Sequence, residues 1–142
     1  MPENINLLEE IYQTTKMGLE ATRLAVPKVH SKPLRGDMLR QAKNYLEINR
    51  RAKSMLRDEG CLPEEKGTLK RAMVKGSIRM NTLLDNSSNH IAEMMIQGTN
   101  MGIINITKKL NRLNDSDAGA KNLAQDYLAD EQRNIETMKK YL

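Results

Sequence analysis

The chain has no tryptophan and no phenylalanine, four tyrosines and one cysteine among 142 residues. Aromatic rings therefore do not fill its interior; Leu, Ile, Met and Ala must, and these residues favour helices. Cys61 has no partner for an internal disulfide, and zinc sites built on paired cysteines are excluded. Beside Leu62-Pro63, with no resolving thiol, it reads as an incidental cysteine. No run approaches the roughly 18 uninterrupted apolar residues of a membrane-spanning helix, and Met1-Pro2-Glu3-Asn4 is acidic where a secretory leader is positive. A cytoplasmic protein with no membrane partner is expected. Also missing are a phosphate-cradling glycine loop, a nucleophile elbow and a paired-histidine metalloprotease motif. No catalytic residue and no organic cofactor are expected, a metal ion being the one cofactor left open.

What remains is 39% hydrophobic and 29% charged, of a length suited to one domain over residues 1–142. Ten methionines supply flexible, polarizable packing and point to an adaptable core rather than a cofactor box. The net charge of +5 is unevenly placed, because residues 50–79 hold nine Lys/Arg against four Asp/Glu while the flanking segments nearly balance. Such a patch suits phosphates. It carries no aromatic residue on which a base would stack, so a solvated helical surface is favoured over nucleic-acid binding.

Periodicity divides the chain into helices. Residues 4–25 place Ile5, Leu8, Ile11, Tyr12, Thr15, Leu19 and Thr22 on one face before Val26-Pro27 disfavours continuation. Residues 34–59 carry Met38, Ala42, Tyr45, Asn49, Ala52 and Leu56, with Gly60 at the expected left-handed C-cap. Pro63 suits a first helical position, and Leu69, Met73, Gly76, Met80 and Leu83 give the next segment a core face. At ~1.5 Å per residue, residues 63–84 would span about 33 Å as one helix, enough to cross a bundle from end to end. Asp85-Asn86-Ser87-Ser88-Asn89 either caps a new helix or lies on the polar side of a longer one. Residues 90–113 show a stripe of Ala92, Met95, Ile103, Ile106, Leu110 and Leu113. Met94, Met101 and Ile104 lie off it, as in a central helix with several neighbours, and Gly98 and Gly102 would admit another helix closely. The last helix follows Asn114-Asp115-Ser116-Asp117 and presents Ala124, Leu128, Glu131, Ile135, Met138 and Leu142. No alternating strand pattern occurs, so the expected class is an all-α antiparallel four-helix bundle.

Glu131 is the most informative position, since at 100° per residue it falls inside an apolar stripe. A carboxylate there needs a cation, a metal, hydrogen-bond donors or a raised pKa. The favoured reading is a buried polar layer of Asn49, Glu131 and Asn134, supplemented by Thr15 or a tyrosine hydroxyl. The metal reading draws on Glu131 with Asn134, on His90-x-x-Glu93, whose members share one side of a helix, and on Glu20. Lys16 stands one turn before Glu20 and supplies an ordinary ion pair instead.

The helical pair before Gly60, the crossover-length segment, His90-Ile91-Ala92-Glu93-Met94-Met95-Ile96-Gln97-Gly98 through Met101-Gly102-Ile103, and the terminal Glu131-Gln132-Arg133-Asn134-Ile135-Glu136 resemble small members of the ferritin-like superfamily. They are distantly similar to spore coat F-like bundles. The resemblance implies a bundle with one helical crossover. Active di-iron members carry a Glu from each of two helices and Glu-x-x-His from each of the other two. This chain has no Glu-x-x-His: Asn134 stands where the terminal motif would have histidine, Glu47-x-x-Arg50 ends in a cation, and His90 precedes Glu93 in reversed order. The leading expectation is a non-catalytic structural or interaction protein that self-associates or binds a protein partner. The alternatives are a metal-binding member with an atypical site from Glu20, His90, Glu93 and Glu131, and a basic module associated with nucleic acid.

Overall fold

The computed structural model describes residues 2–63, 85–114 and 117–142, and among these residues four α-helices occur. They are α1 (Glu3–Ala25), α2 (Lys32–Asp58), α3 (Ser88–Leu110) and α4 (Ala118–Lys139), with a 3₁₀ turn at Val26–Lys28. Among the described residues no strand occurs. Pro27 ends α1 where the sequence predicts, and the Ser31 hydroxyl opens α2 by accepting from the Leu34 amide at 3.3 Å. Gly60 closes α2 at φ 74°, with its own amide bonded to the Arg57 carbonyl and that of Cys61 to the Leu56 carbonyl. This Schellman-type ending needs a positive φ, which glycine adopts without steric cost. Asp117 caps α4 through the Ala120 amide at 3.0 Å and also accepts from Asn4 at 2.8 Å, joining the starts of α1 and α4.

Cross-helix contacts fix the directions. Asn49 of α2 donates to the Tyr12 carbonyl of α1 while Tyr45 packs on Gly18, so these two helices are antiparallel. Tyr45 to Glu131 and Arg51 to Asp126 make α2 and α4 antiparallel, and the packing of Tyr127 on Gly102, with Ile91 and Met95 clustered with Met138, does the same for α3 and α4. It follows that α1 and α4 run one way and α2 and α3 the other. The end of α2 and the start of α3 therefore lie at opposite ends of the helical assembly. Asn86, beside His30 of the α1–α2 link at 3.2 Å, marks the far end. The helix expected over residues 63–84, with five of the basic side chains of the 50–79 patch, lies outside the described residues. Residues 85–87 are not helical, and Ser87 has extended backbone, so α3 starts afresh rather than continuing an earlier helix.

Burial corrects several face assignments. On α2 the covered residues include Gln41 and Ile48, whereas Ala42 and Asn49 sit at the rim. Met101 and Ile104 are more than half exposed, so that side of α3 is uncovered among the described residues rather than shared with a further helix. Leu142, beyond the end of α4, is likewise exposed.

The core falls into two apolar clusters. The larger contains Leu8 and Ile11 of α1, Ile48 and Leu56 of α2, Ile106 of α3, and Leu123 and Tyr127 of α4. The smaller contains Ala25, Leu34 and Met38, Ile91 and Met95, and Met138. Along each helix a buried polar residue falls between the two sets: Thr22, Gln41, Thr99 and Glu131. One buried polar side chain of each helix thus lies between the two clusters, while Glu9 and Thr15 are buried in the part of α1 that feeds the larger one.

Candidate functional site

Glu131 is the centre of this layer. It is 1% exposed, and α4 presents Tyr127 one turn before it and Asn134 one turn after. The Tyr45 hydroxyl donates to Glu131 Oε2 at 2.8 Å, the Tyr127 hydroxyl to the same oxygen at 3.4 Å, and Asn134 Nδ2 to Oε1 at 2.7 Å. Gln41, one turn before Tyr45, donates to the Tyr45 oxygen at 3.0 Å. The network therefore runs from α2 to α4, ending on a carboxylate.

The tyrosines reach the carboxylate because two glycines make room for them. A Cβ on Gly18 would sit 3.0 Å from the Tyr45 ring, and one on Gly102 would meet the Tyr127 hydroxyl oxygen at 2.3 Å and Thr14 at 3.1 Å. A Cβ on Gly98 would meet nothing within 4 Å, so of the two α3 glycines expected to admit a neighbour only Gly102 does so.

Burial pushes the Glu131 carboxyl up to about 7 from its ordinary 4.5, while the bonds from Tyr45, Asn134 and Tyr127 pull it back. Tyr45 and Tyr127 are held well above the usual phenol range, first by burial and then by the Glu131 charge. Both phenols stay protonated and serve as fixed donors. Desolvation thus exceeds hydrogen bonding at Glu131, because three donors replace only part of a carboxylate's hydration.

Above the layer, α1 and α3 part to form a cleft of about 280 Å³. Tyr45, Thr99, Tyr127 and Glu131 face it from the core, Met17, Met94, Met95 and Met101 line its walls, and Glu10, Gln13 and Asn105 add polar groups. Gly98, where a Cβ would meet nothing within 4 Å among the described residues, leaves space in its wall.

The other predicted site residues are dispersed. Asn134 is bonded to Glu131, but Asn49 belongs to a separate contact, donating to the Tyr12 carbonyl at 3.0 Å and to the Thr15 hydroxyl at 3.1 Å. The layer's member from α2 is Gln41 instead, because Asn49 lies two turns further on and at the edge of the covered face. Glu93 is exposed, Glu20 is half-buried on α1, and neither lines the cleft. His90 is half-buried, and its Nε2 has no hydrogen-bond partner among the described residues. Among those residues, no three His, Cys, Asp or Glu side chains come together in a group able to hold a metal ion. Of the basic patch, Arg51 pairs with Asp126 at 2.9 Å, and Arg50 and Arg57 are exposed. No described helix is long and apolar enough to cross a membrane.

Tyr127, Gln41 and Thr99 were not singled out from the sequence. Tyr127 carries a usable signal, standing four residues before the one carboxylate on a core face. Gln41 bears the same relation to Tyr45.

These features define an all-helical protein whose interior is crossed by a hydrogen-bonded polar layer lying under an open cleft. The chain belongs to the family described as Domain of unknown function (DUF2383), which it matches over residues 3–112. The match takes in α1, α2 and α3, while Glu131 stands on α4 beyond it. No curated protein and no solved structure matches the chain.

Proposed function

We propose that this is a non-catalytic, ferritin-like four-helix bundle, a single cytoplasmic domain over residues 1–142 that acts as a structural or interaction protein. The order of helix directions supports the ferritin-like arrangement. With α2 parallel to α3, the end of α2 and the start of α3 lie at opposite ends of the assembly, and one long crossover between such helices is the mark of that architecture. The observation that carries the non-catalytic reading is the environment of Glu131. Its neighbours are two phenols and an amide, which satisfy a carboxylate without a metal, where a di-iron site would need further carboxylates and imidazoles. The donor set does not fit such a centre. Met101 and Ile104, exposed together on α3, favour self-association or a protein partner over a free-standing monomer.

The rival is an atypical metal site reached through His90, whose buried Nε2 lacks a partner among the described residues. Calorimetric titration of the metal-free protein with Fe(II), Mn(II) and Zn(II), together with its mass in solution, separates the two. We expect no stoichiometric uptake and a mass above that of one chain. One equivalent of metal, lost in both Glu131→Gln and His90→Ala, would establish the rival, and a strictly monomeric mass would remove the case for self-association.

A further inference from the structure

The cleft between α1 and α3 is acidic among the described residues. The ionisable groups of those residues that line it are Glu10, Glu131 and the phenols Tyr45 and Tyr127, and no described Lys, Arg or His does so, although the chain carries a net charge of +5. Its floor also keeps an acceptor position in reserve. A carboxylate offers about four acceptor positions, and Glu131 uses three of them. Behind Tyr45, the Gln41 Oε1 atom is buried with no donor among the described residues. Tyr45 and Tyr127 spend their protons on Glu131, so neither phenol has one left to offer an incoming acceptor.

The walls impose a different demand. Methionine side chains are apolar, polarizable and able to change shape around a guest, and four of them line a volume near the lower end of the range for small-molecule sites. A hard metal cation would find too few oxygen ligands there. An acidic ligand would face two carboxylates, and a purely apolar one would leave the spare acceptor position uncovered.

We propose that the cleft binds a small amphipathic cation, an amine whose ammonium group donates to the Glu131 carboxylate while its apolar body lies between the methionines of α1 and α3. This goes beyond the structural role assigned above, and it shares Met101 with the surface proposed for association. It also gives Gly98 a purpose that helix packing does not, because the space above its Cα is open to the guest rather than taken by a neighbour.

Three probes of matched size test the assignment: 2-phenylethylammonium, 2-phenylethanol and 3-phenylpropionate, titrated calorimetrically at about pH 8, where Glu131 is ionised. The ammonium ion should bind, the alcohol should bind roughly tenfold more weakly or worse, and the acid should not bind. Glu131→Gln should bring the ammonium ion down to the affinity of the alcohol while leaving the alcohol unchanged. Gly98→Leu, which adds bulk where a Cβ meets nothing among the described residues, should abolish binding of both with the fold retained and the melting temperature not lowered. Equal affinity for all three probes, tighter binding of the acid, no binding of the ammonium ion, or an ammonium affinity unaffected by either substitution would overturn the proposal.

Discussion

Removing the Glu131 charge without changing its shape should alter how stability responds to pH, and the structure sets both direction and size. The folded protein holds this proton with a pKa of about 7, the unfolded chain with the ordinary 4.5. Folding therefore takes up a proton between those values, and stability falls as pH rises from about 4.5 through 7, levelling off above. The contribution is fully present below the unfolded value and lost above the folded one. The gap between 4.5 and about 7 corresponds to roughly 3 kcal/mol. Because Glu131 is 1% exposed, solvent screening removes little of it. Glutamine keeps the size and the acceptor oxygen for Tyr45 and Tyr127, and half-buried Asn134 turns its amide to accept rather than donate. Urea denaturation of the wild type and Glu131→Gln at about pH 5 and pH 8 isolates the effect, since every other group titrates in both proteins and cancels in the difference. The wild type should lose about 2.5 kcal/mol more than the variant over that interval, most of the full gap because pH 5 lies just above the unfolded value. Glu131→Ala strands the Tyr45, Tyr127 and Asn134 donors at a cost of about 1–3 kcal/mol for each that stays buried and unpaired, and should be the least stable at the lower pH, with its helical signal intact. Parallel pH profiles for wild type and glutamine variant, or an alanine variant as stable as the glutamine one, would refute the reasoning.

Gly102→Ala should destabilise by about 1–3 kcal/mol, because the new methyl group would collide with the Tyr127 hydroxyl. Gly98→Ala, with open space at its Cβ, should instead gain about 0.5–1 kcal/mol from helix propensity, and thermal melts of the pair report the opposite signs. Asp117→Ala removes the α4 cap and the tie to Asn4 and should cost about 1–2 kcal/mol, with hydrogen exchange rising at the first turns of α1 and α4 together. Tyr45→Phe should raise the Glu131 pKa more than Tyr127→Phe does, since the bond from Tyr45 is 2.8 Å against 3.4 Å, a difference readable by carboxyl NMR.

The strongest periodic features were legible in the sequence. The stripes of α1 and α4 placed Ile5, Ile11 and Leu19, and then Ala124, Ile135 and Met138, on covered faces, and Glu131 stood out because hydropathy and periodicity disagreed there. Gly60 announced its own backbone conformation. On α2 a single line of spacings ran through Ala42 and Asn49 at its edge, although a helix packed against two neighbours covers a wider arc that takes in Gln41 and Ile48. On α3, searching for apolar residues passed over Thr99 and counted Met101 and Ile104 as buried, because hydropathy records what a side chain prefers and not whether a neighbour stands beside it. The cleft was not legible at all. It arises from absent side chains on α1 and α3, and a glycine that seats a tyrosine looks the same in sequence as one that leaves a hole.

On the function proposed above, protonation and hydrogen bonds, and not a metal, complete the polar layer. The carbon-13 titration of the Glu131 side-chain carboxyl, assigned by its loss in Glu131→Gln and recorded with and without equimolar Mn(II), tests this most directly. A midpoint near 7, with no selective broadening by the paramagnetic ion, is the expected result. A midpoint at the ordinary 4.5, or a Glu131 signal bleached by one equivalent of Mn(II), would contradict the account.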